Sequence, residues 1–221
     1  MPTTEAQQRH ELIIPELMIL HIERFQDAFQ RLRCAKLEKC DEDVIPFSNA
    51  NFEVQSMRAS DVLPATFYAL QSRLTFQRNF RDKLEKKGID LFNLNGIVYF
   101  WDGHNVRALI PPIVEVYKEP ELIDAETMAL QDGVHRMLIA DVAGLSQRCI
   151  IIYGGLAEEQ YLPHGIPNAW SDITIRMDTP PVEMKRKYRR PSRPYSNMRP
   201  FSALTDPRMH AIWADYGRPR Q

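Results

Sequence analysis

The chain has 221 residues, of which 44% are hydrophobic and 26% charged, with a net charge of -1. This composition is typical of a globular protein that can bury a core, and no apolar run approaches the roughly 20 residues that span a bilayer. We therefore expect no membrane partner. Because the polar N-terminus lacks a basic segment followed by an apolar one, we also expect no secretory signal and a cytoplasmic location. Three cysteines without CxxC spacing argue against a zinc ribbon or a disulfide framework.

Charge is distributed unevenly between the body of the chain and its C-terminal arm, residues 181–221. The arm carries ten Lys or Arg and three acidic residues, a net charge of +7, so residues 1–180 carry -8. Frequent proline excludes a continuous helix in the arm. A basic arm on an acidic body either folds back onto that body, packs on a second subunit in a homodimer, or contacts a polyanion such as nucleic acid, which we do not favour.

Two amphipathic helices are predicted in the first 88 residues. Apolar residues at near-helical spacing predict the first helix over about 15–39, within an N-terminal helical segment of residues 1–46. The same pattern returns over 64–88, where Gly88 follows a basic last turn and is a natural helix C-terminus. We therefore interpret residues 47–88 as a helical insertion.

From Ile89 the pattern changes to the alternation typical of strands, and residues 89–180 are predicted to form an α/β core. Asn95-Gly96 and Asp102-Gly103 are predicted hairpin turns. The predicted strands are 89–94, 97–101, 106–117, 127–131 and 148–153, with a helix over 135–143, closed by Gly144, before the last of them.

The segment Asp132-Gly133-Val134-His135-Arg136 lies at the predicted junction of a strand and a helix. Glycine permits a sharp turn there, and a helix N-terminus offers unpaired N–H groups and the positive end of its dipole, which suit a phosphate. Arg136 can add a bidentate contact to that phosphate, and His135 can donate a hydrogen bond or transfer a proton. Asp132 would repel a bare phosphate, so we expect it to hold Mg²⁺ or to accept a proton.

A turn of this kind also occurs without any binding role. The similar segment DGHNVR, residues 102–107, lies between two predicted strands, where a hairpin turn explains it fully. The five residues of the later motif therefore leave both interpretations open.

The run from Pro111 to Gly154 resembles the ParB/sulfiredoxin superfamily. It contains a strand bearing Pro-Ile-Val, a second strand ending in the D-G-x-H-R motif, an alanine-bearing helix, a glycine and a closing strand. The resemblance implies an α+β fold, a small mixed sheet flanked by helices, to which this chain would add an N-terminal helical extension and an extended basic C-terminal arm. It also implies a nucleotide cofactor, with ATP or ADP favoured, bound by residues 132–136.

Departures from the superfamily's motifs separate its branches. Sulfiredoxin carries a reactive cysteine before the His-Arg pair, whereas Val134 stands here, so the resemblance argues against sulfinic acid reduction. No helix-turn-helix pattern follows Gly155, unlike in the partition ParB proteins. The chain looks closest to the free-serine kinases, whose catalytic acid lies in a His-Glu pair on an N-terminal helix. Glu23 is similar by position, near His21, although Ile22 separates the two.

The kinase resemblance implies a Mg-dependent phosphotransferase acting on a small hydroxyl-bearing molecule. Its catalytic residues would be Glu23, Asp132 and His135, with Asp132 as the metal ligand. Two alternatives stay open: a nucleotide-switched module of the ParB type that binds DNA or a protein, and an interaction scaffold without chemistry.

The loop over residues 161–172 offers candidates for a pocket that binds the acceptor molecule. The competing interpretation is a packed loop with a buried tryptophan. The candidates are His164, Asn168, Trp170 and Asp172.

Overall fold

The computed structural model describes residues 17–36, 45–118, 126–155, 167–181, 186 and 200–209. Within these ranges, no helix is long and apolar enough to cross a membrane. The elements are β1 (Met18–Glu23), α1 (Phe25–Arg33), β2 (Asn51–Met57), β3 (Leu63–Pro64), β4 (Tyr68–Leu70), α2 (Gln71–Glu85), β5 (Ile97–Trp101), β6 (Val106–Leu109), β7 (Ile113–Lys118), β8 (Glu126–Asp132), α3 (Val134–Val142), β9 (Gln147–Tyr153) and β10 (Thr174–Arg176).

Five strands form the main sheet, in the order β2-β9-β7-β8-β3. The sheet is mixed, because β7 is parallel to β9 but antiparallel to β8, and β3 is parallel to β8. Successive residues of β9 supply both faces: Cys149 and Ile151 cluster with α3, whereas Ile150 and Ile152 cluster with α1. The predicted α+β class, a mixed sheet flanked by helices, is confirmed.

A second, antiparallel sheet has the order β1-β5-β6, and β4 pairs with β10 in a short parallel ribbon. Phe80 and Leu84 of α2 pack with Val98 and Phe100 of β5 and with Ile139 of α3. This cluster fixes α2 beside α3, which determines the geometry of the site described below.

The helix predicted over 15–39 is wrong at its start. Met18–Glu23 form β1, which pairs antiparallel with β5, and α1 begins only at Phe25. The segment contains the β-branched residues Ile19 and Ile22, and its hydrogen-bonding partner lies far along the chain, where local spacing gives no signal. The described part of the N-terminal extension, residues 17–36, is therefore a strand followed by a short helix; positions 15, 16 and 37–39 of the predicted helix lie outside the described residues.

The helical interpretation of 47–88 is wrong before Gln71. Asn51–Met57 form β2, which pairs along its whole length with β9, and the short strands β3 and β4 follow. The helix itself is confirmed from Gln71 onward, and Gly88, with φ of +74°, closes it as predicted.

The predicted strand at 89–94 is also wrong, since these residues form turns. Leu91, Phe92 and Leu94 are nevertheless buried in the core, so their apolar pattern indicates burial and not strand geometry. Asn95-Gly96 consequently does not join two strands. By contrast, the strands predicted over 97–101, 127–131 and 148–153 are confirmed as β5, β8 and β9, as is the helix closed by Gly144. The single strand predicted over 106–117 is wrong in its middle: it forms β6 and β7, which belong to different sheets and are separated by residues 110–112, where Pro111 and Pro112 have no main-chain N–H to donate.

The segment 102–107 is a hairpin turn, as predicted. The carboxylate of Asp102 accepts main-chain N–H groups of His104 and Asn105 and the Arg107 guanidinium, at 2.7 to 2.9 Å. These contacts within the turn account for Asp102 and Arg107 of this copy of the motif.

Candidate anion-binding site

Gly133 joins β8 directly to α3. It has φ of +96°, a left-handed conformation that favours glycine, and a Cβ at this position would lie 2.6 Å from Cβ of Pro112. The helix begins at Val134, whose side chain is buried in the core, and no side chain within the described ranges caps it. The main-chain N–H groups of the first turn are therefore left to water or to a ligand.

The N-termini of two helices meet at His135. Leu70 is the N-cap of α2, and its main-chain N–H donates to Nε2 of His135 at 2.9 Å. His135 itself lies in the first turn of α3. The positive ends of both helix dipoles thus converge on one imidazole, an arrangement that favours a bound anion.

The imidazole of His135 is held uncharged. Burial lowers its pKa to about 4; the positive charges of Arg73 and Arg136 lower the pKa further, and Asp132 opposes them. Because Nε2 accepts a hydrogen bond, the proton of the neutral ring belongs on Nδ1. Within the described ranges Nδ1 has no partner, so it can donate to a ligand.

Arg136 is a buried cation without a counter-charge. Its side chain is 7% exposed, Nη1 donates to the carbonyl of Ile110, and no carboxylate of the described residues forms an ion pair with it. Burial lowers the pKa of Arg136, and the negative charge of Asp132 opposes that shift from beyond ion-pair distance. Buried charges are ordinarily paired, so this cation indicates a place for an anion.

Arg73, in the first turn of α2, is a residue of this site that the sequence analysis missed. It is exposed, and its charge acts on His135. One signal was available, because a cation in the first turn of a helix opposes the helix dipole and gains from an anion nearby. Its proximity to His135 depends on the packing of α2 against α3, which the sequence does not display.

Asp132 is exposed and can reach a ligand at the same junction. No group of three or more metal-binding side chains occurs in the described part of the chain. A single carboxylate fits Mg²⁺ that is also held by nucleotide phosphates and water, the usual way in which proteins bind that ion with few ligands of their own.

Glu23 lies in a different place. Its carboxylate pairs with the guanidinium of Arg31 and accepts the hydroxyl of Tyr99 at 2.9 Å. It lines a cavity of about 370 Å³ beside residues 206–209. Among the described residues, no hydrogen bond or ion pair joins Glu23 to 132–136, so the structure does not bring these predicted catalytic residues together.

The loop candidates near residue 170 form a packed loop. Nε1 of Trp170 donates to the carbonyls of Ala59 and Val62 at 2.8 and 2.9 Å, and Asp172 accepts the main-chain N–H of Ala169. These hydrogen bonds agree with the packed-loop interpretation, although Trp170 is half-buried rather than buried and Asp172 is exposed. Asn168 is buried, and His164 lies outside the described residues.

A family model described as the ParB CE domain matches residues 27–174, about two thirds of the chain. The chain belongs to the ParB CE domain family. In this ParB CE domain protein the match covers most of α1, all of α2, the main sheet and α3, so the predicted ParB relationship is confirmed well beyond residues 111–154. No curated protein and no solved structure matches the chain.

Proposed function

We propose that this ParB CE domain protein binds a nucleoside di- or triphosphate at the β8–α3 junction. The observation that carries the proposal is Arg136, a buried cation that has no ion pair among the described residues and lies where two helix N-termini converge. A phosphate group would supply the missing negative charge and accept the N–H groups of the α3 first turn. The exposed guanidinium of Arg73 would add a second contact to the same anion.

We further propose that the protein transfers the terminal phosphoryl group of the nucleotide to the hydroxyl oxygen of a small molecule. The bond from the terminal phosphorus to the bridging oxygen breaks, and the shortened nucleotide leaves with that oxygen. Bound Mg²⁺ would offset the charge of the phosphates. Asp132, exposed beside the anion site, would hold the ion or accept the proton of the acceptor hydroxyl. His135 would donate from Nδ1 to a phosphate oxygen. Asp132 is preferred over Glu23 as proton acceptor, because Glu23 is engaged with Arg31 and Tyr99.

Nucleotide binding is tested by calorimetry and thermal shift with ATP, ADP, CTP and GTP, with and without Mg²⁺. Arg136→Met removes the buried charge but keeps side-chain bulk, so it should fold and lose nucleotide binding. Arg73→Ala should weaken binding by about 10-fold to 150-fold, the range for hydrogen bonds to charged groups. Arg78→Ala, an exposed arginine farther along α2, is the matched control. Unchanged affinity in both Arg136→Met and Arg73→Ala would refute the site.

Phosphoryl transfer is tested separately with Asp132→Asn. This variant should bind nucleotide with nearly unchanged affinity. It should not transfer the labelled γ-phosphate to any acceptor in a panel of small alcohols, sugars and hydroxy amino acids. Full turnover in Asp132→Asn, or none in the wild-type protein with any acceptor, would leave a binding module and remove the kinase proposal.

A further inference from the structure

Two buried side-chain amides near the anion site have no acceptor in the part of the chain that the structure describes. They are Nε2 of Gln131 and Nδ2 of Asn168, in residues that are 1% and 7% exposed. A buried N–H donor without a partner costs free energy, and folded proteins keep few of them. Two such donors at one edge of a sheet are an unexplained feature of this fold.

The two amides lie at the same edge. Gln131 precedes Asp132 at the carboxyl end of β8, and β3, which is parallel to β8, ends there at Pro64. The carbonyl of Pro64 accepts the main-chain N–H of Asn168 at 2.7 Å. Because parallel strands present their carboxyl ends at a common edge, both amides flank the junction that forms the anion site, and such edges are where ligands bind in related sheets.

Contacts with the rest of the protein hold the side-chain amide of Gln131 and the main chain of Asn168. Arg186 of the basic arm donates to the main-chain carbonyl of Gln131 at 2.6 Å and to its Oε1 at 3.4 Å. The amide oxygen of Gln131 is thereby used, which leaves its NH₂ group as the unsatisfied end. Asn168 is held close to the packed turn at Trp170. The Gln131 donor is thus held in place before any ligand arrives, and Asn168 is positioned through its main chain.

Two aromatic residues occupy the same region. Phe67 and Tyr68, both half-buried, follow the end of β3 and precede the Leu70 contact to His135. The phosphate end of a nucleotide would already be served by the helix N-termini and two arginines. The part that still needs hydrogen-bond donors and a flat apolar neighbour is the base, with its carbonyl oxygens and ring nitrogens.

We propose that Gln131 and Asn168 donate hydrogen bonds to the base of the bound nucleotide, with Arg186 as the positioning residue for Gln131. This inference rests on the proposed nucleotide binding at the β8–α3 junction. It assigns base recognition to the carboxyl edge of β3 and β8 and phosphate recognition to α3, Arg73 and Arg136.

The test compares nucleotides with a ligand that has no base. Asn168→Leu and Gln131→Met keep side-chain size and remove the orphaned donors. Gln131→Met also removes the Oε1 acceptor of Arg186, but the shorter bond from Arg186 to the main-chain carbonyl of residue 131 remains, so both variants should fold. Each should weaken the tightest-binding of ATP, CTP, GTP and UTP by about 5-fold to 150-fold. Affinity for inorganic tripolyphosphate should not change. Gln77→Met, which replaces another glutamine with an unpaired buried amide atom on α2, is the matched control.

The outcomes distinguish base recognition by the two amides from nucleotide binding at the β8–α3 junction. If tripolyphosphate loses affinity as much as the nucleotides do, the amides contact phosphate and base recognition is overturned. It is also overturned if both variants bind nucleotides as the wild-type protein does. If the wild-type protein binds tripolyphosphate but no nucleotide more tightly, the anion site stands and the base subsite falls. Binding of none of these ligands by the wild-type protein refutes the proposed function itself. Arg186→Lys should retain part of the nucleotide affinity that Arg186→Ala loses.

Discussion

His135 gives the protein a specific dependence of stability on pH. Its pKa is about 4 in the folded state, mainly because of burial, against an ordinary histidine value of about 6.5. Between these values the unfolded chain binds a proton that the folded chain does not. The free energy of unfolding contributed by His135 therefore rises with pH across this window and is complete above about 6.5.

We expect His135→Gln to flatten this dependence. The Oε1 atom of glutamine can still accept the N–H of Leu70, so the contact between α2 and α3 is preserved while the titrating group is removed. Urea unfolding at a series of pH values from about 4 to about 7 measures the slope. His104→Gln, in the exposed turn of the β5–β6 hairpin, controls for loss of a histidine as such. An identical slope in His135→Gln and the wild-type protein would contradict the assigned pKa.

At the scale of elements, the sequence predicted best where the decisive signals were local. The strand ending at Asp132, the turn at Gly133 and the helix closed by Gly144 follow one another within a short run, and each carries its own turn or cap residue. β1 and β2 were predicted wrongly because their partners β5 and β9 lie far along the chain. Hydrogen bonds to those distant strands stabilise the extended conformation more than the local sequence favours a helix.

The part of the site that is local in the sequence could be predicted, and the part that depends on packing could not. Residues 132–136 stand together in the sequence, so their shared position at a helix N-terminus could be predicted. Arg73 reaches His135 only because Phe80 and Leu84 of α2 pack against the core that also holds α3. That convergence is a property of tertiary packing, which no pattern near Arg73 displays.

The junction between β8 and α3 should tolerate no side chain at Gly133. Gly133→Ala combines a left-handed backbone with overlap against Pro112, so we expect it to lower the free energy of unfolding by about 2 to 6 kcal/mol. Gly88→Ala is the matched control: it has φ of +74° but open space around the added Cβ, and should lose about 1 to 3 kcal/mol. Equal losses in chemical denaturation would show that the contact with Pro112 does not constrain the junction.

At the scale of the whole molecule, the described part of the basic arm packs on the body of its own chain. Arg31 donates to the carbonyls of Ala203 and Leu204 at 3.1 and 2.8 Å. Leu204 is fully buried, and the main-chain N–H of Asp206 donates to the hydroxyl of Tyr99 at 2.5 Å. Burial raises the pKa of Tyr99 to about 12, so this hydroxyl stays protonated and continues to donate to Glu23.

Arg31 links the arm to the buried carboxylate of Glu23, so its removal should have two effects. Arg31→Met leaves that carboxylate buried without its ion pair, and we expect a loss of about 3 to 5 kcal/mol in the free energy of unfolding. It also removes the donors to residues 203 and 204, so amide hydrogen exchange over 200–209 should accelerate more than in the main sheet. Arg24→Ala removes an exposed ion pair with Asp27 and should cost at most about 1 kcal/mol.

A double variant tests whether the unpaired charge of Glu23 causes the loss of stability in Arg31→Met. Adding Glu23→Gln to Arg31→Met removes the unpaired carboxylate while keeping an acceptor for the Tyr99 hydroxyl, so it should recover part of the lost stability. Exchange over 200–209 should stay fast in this double variant, because the donors to the arm are still missing. If exchange there matches the wild-type protein in both variants, the arm is held by the burial of Leu204 and its apolar neighbours and Arg31 does not anchor it.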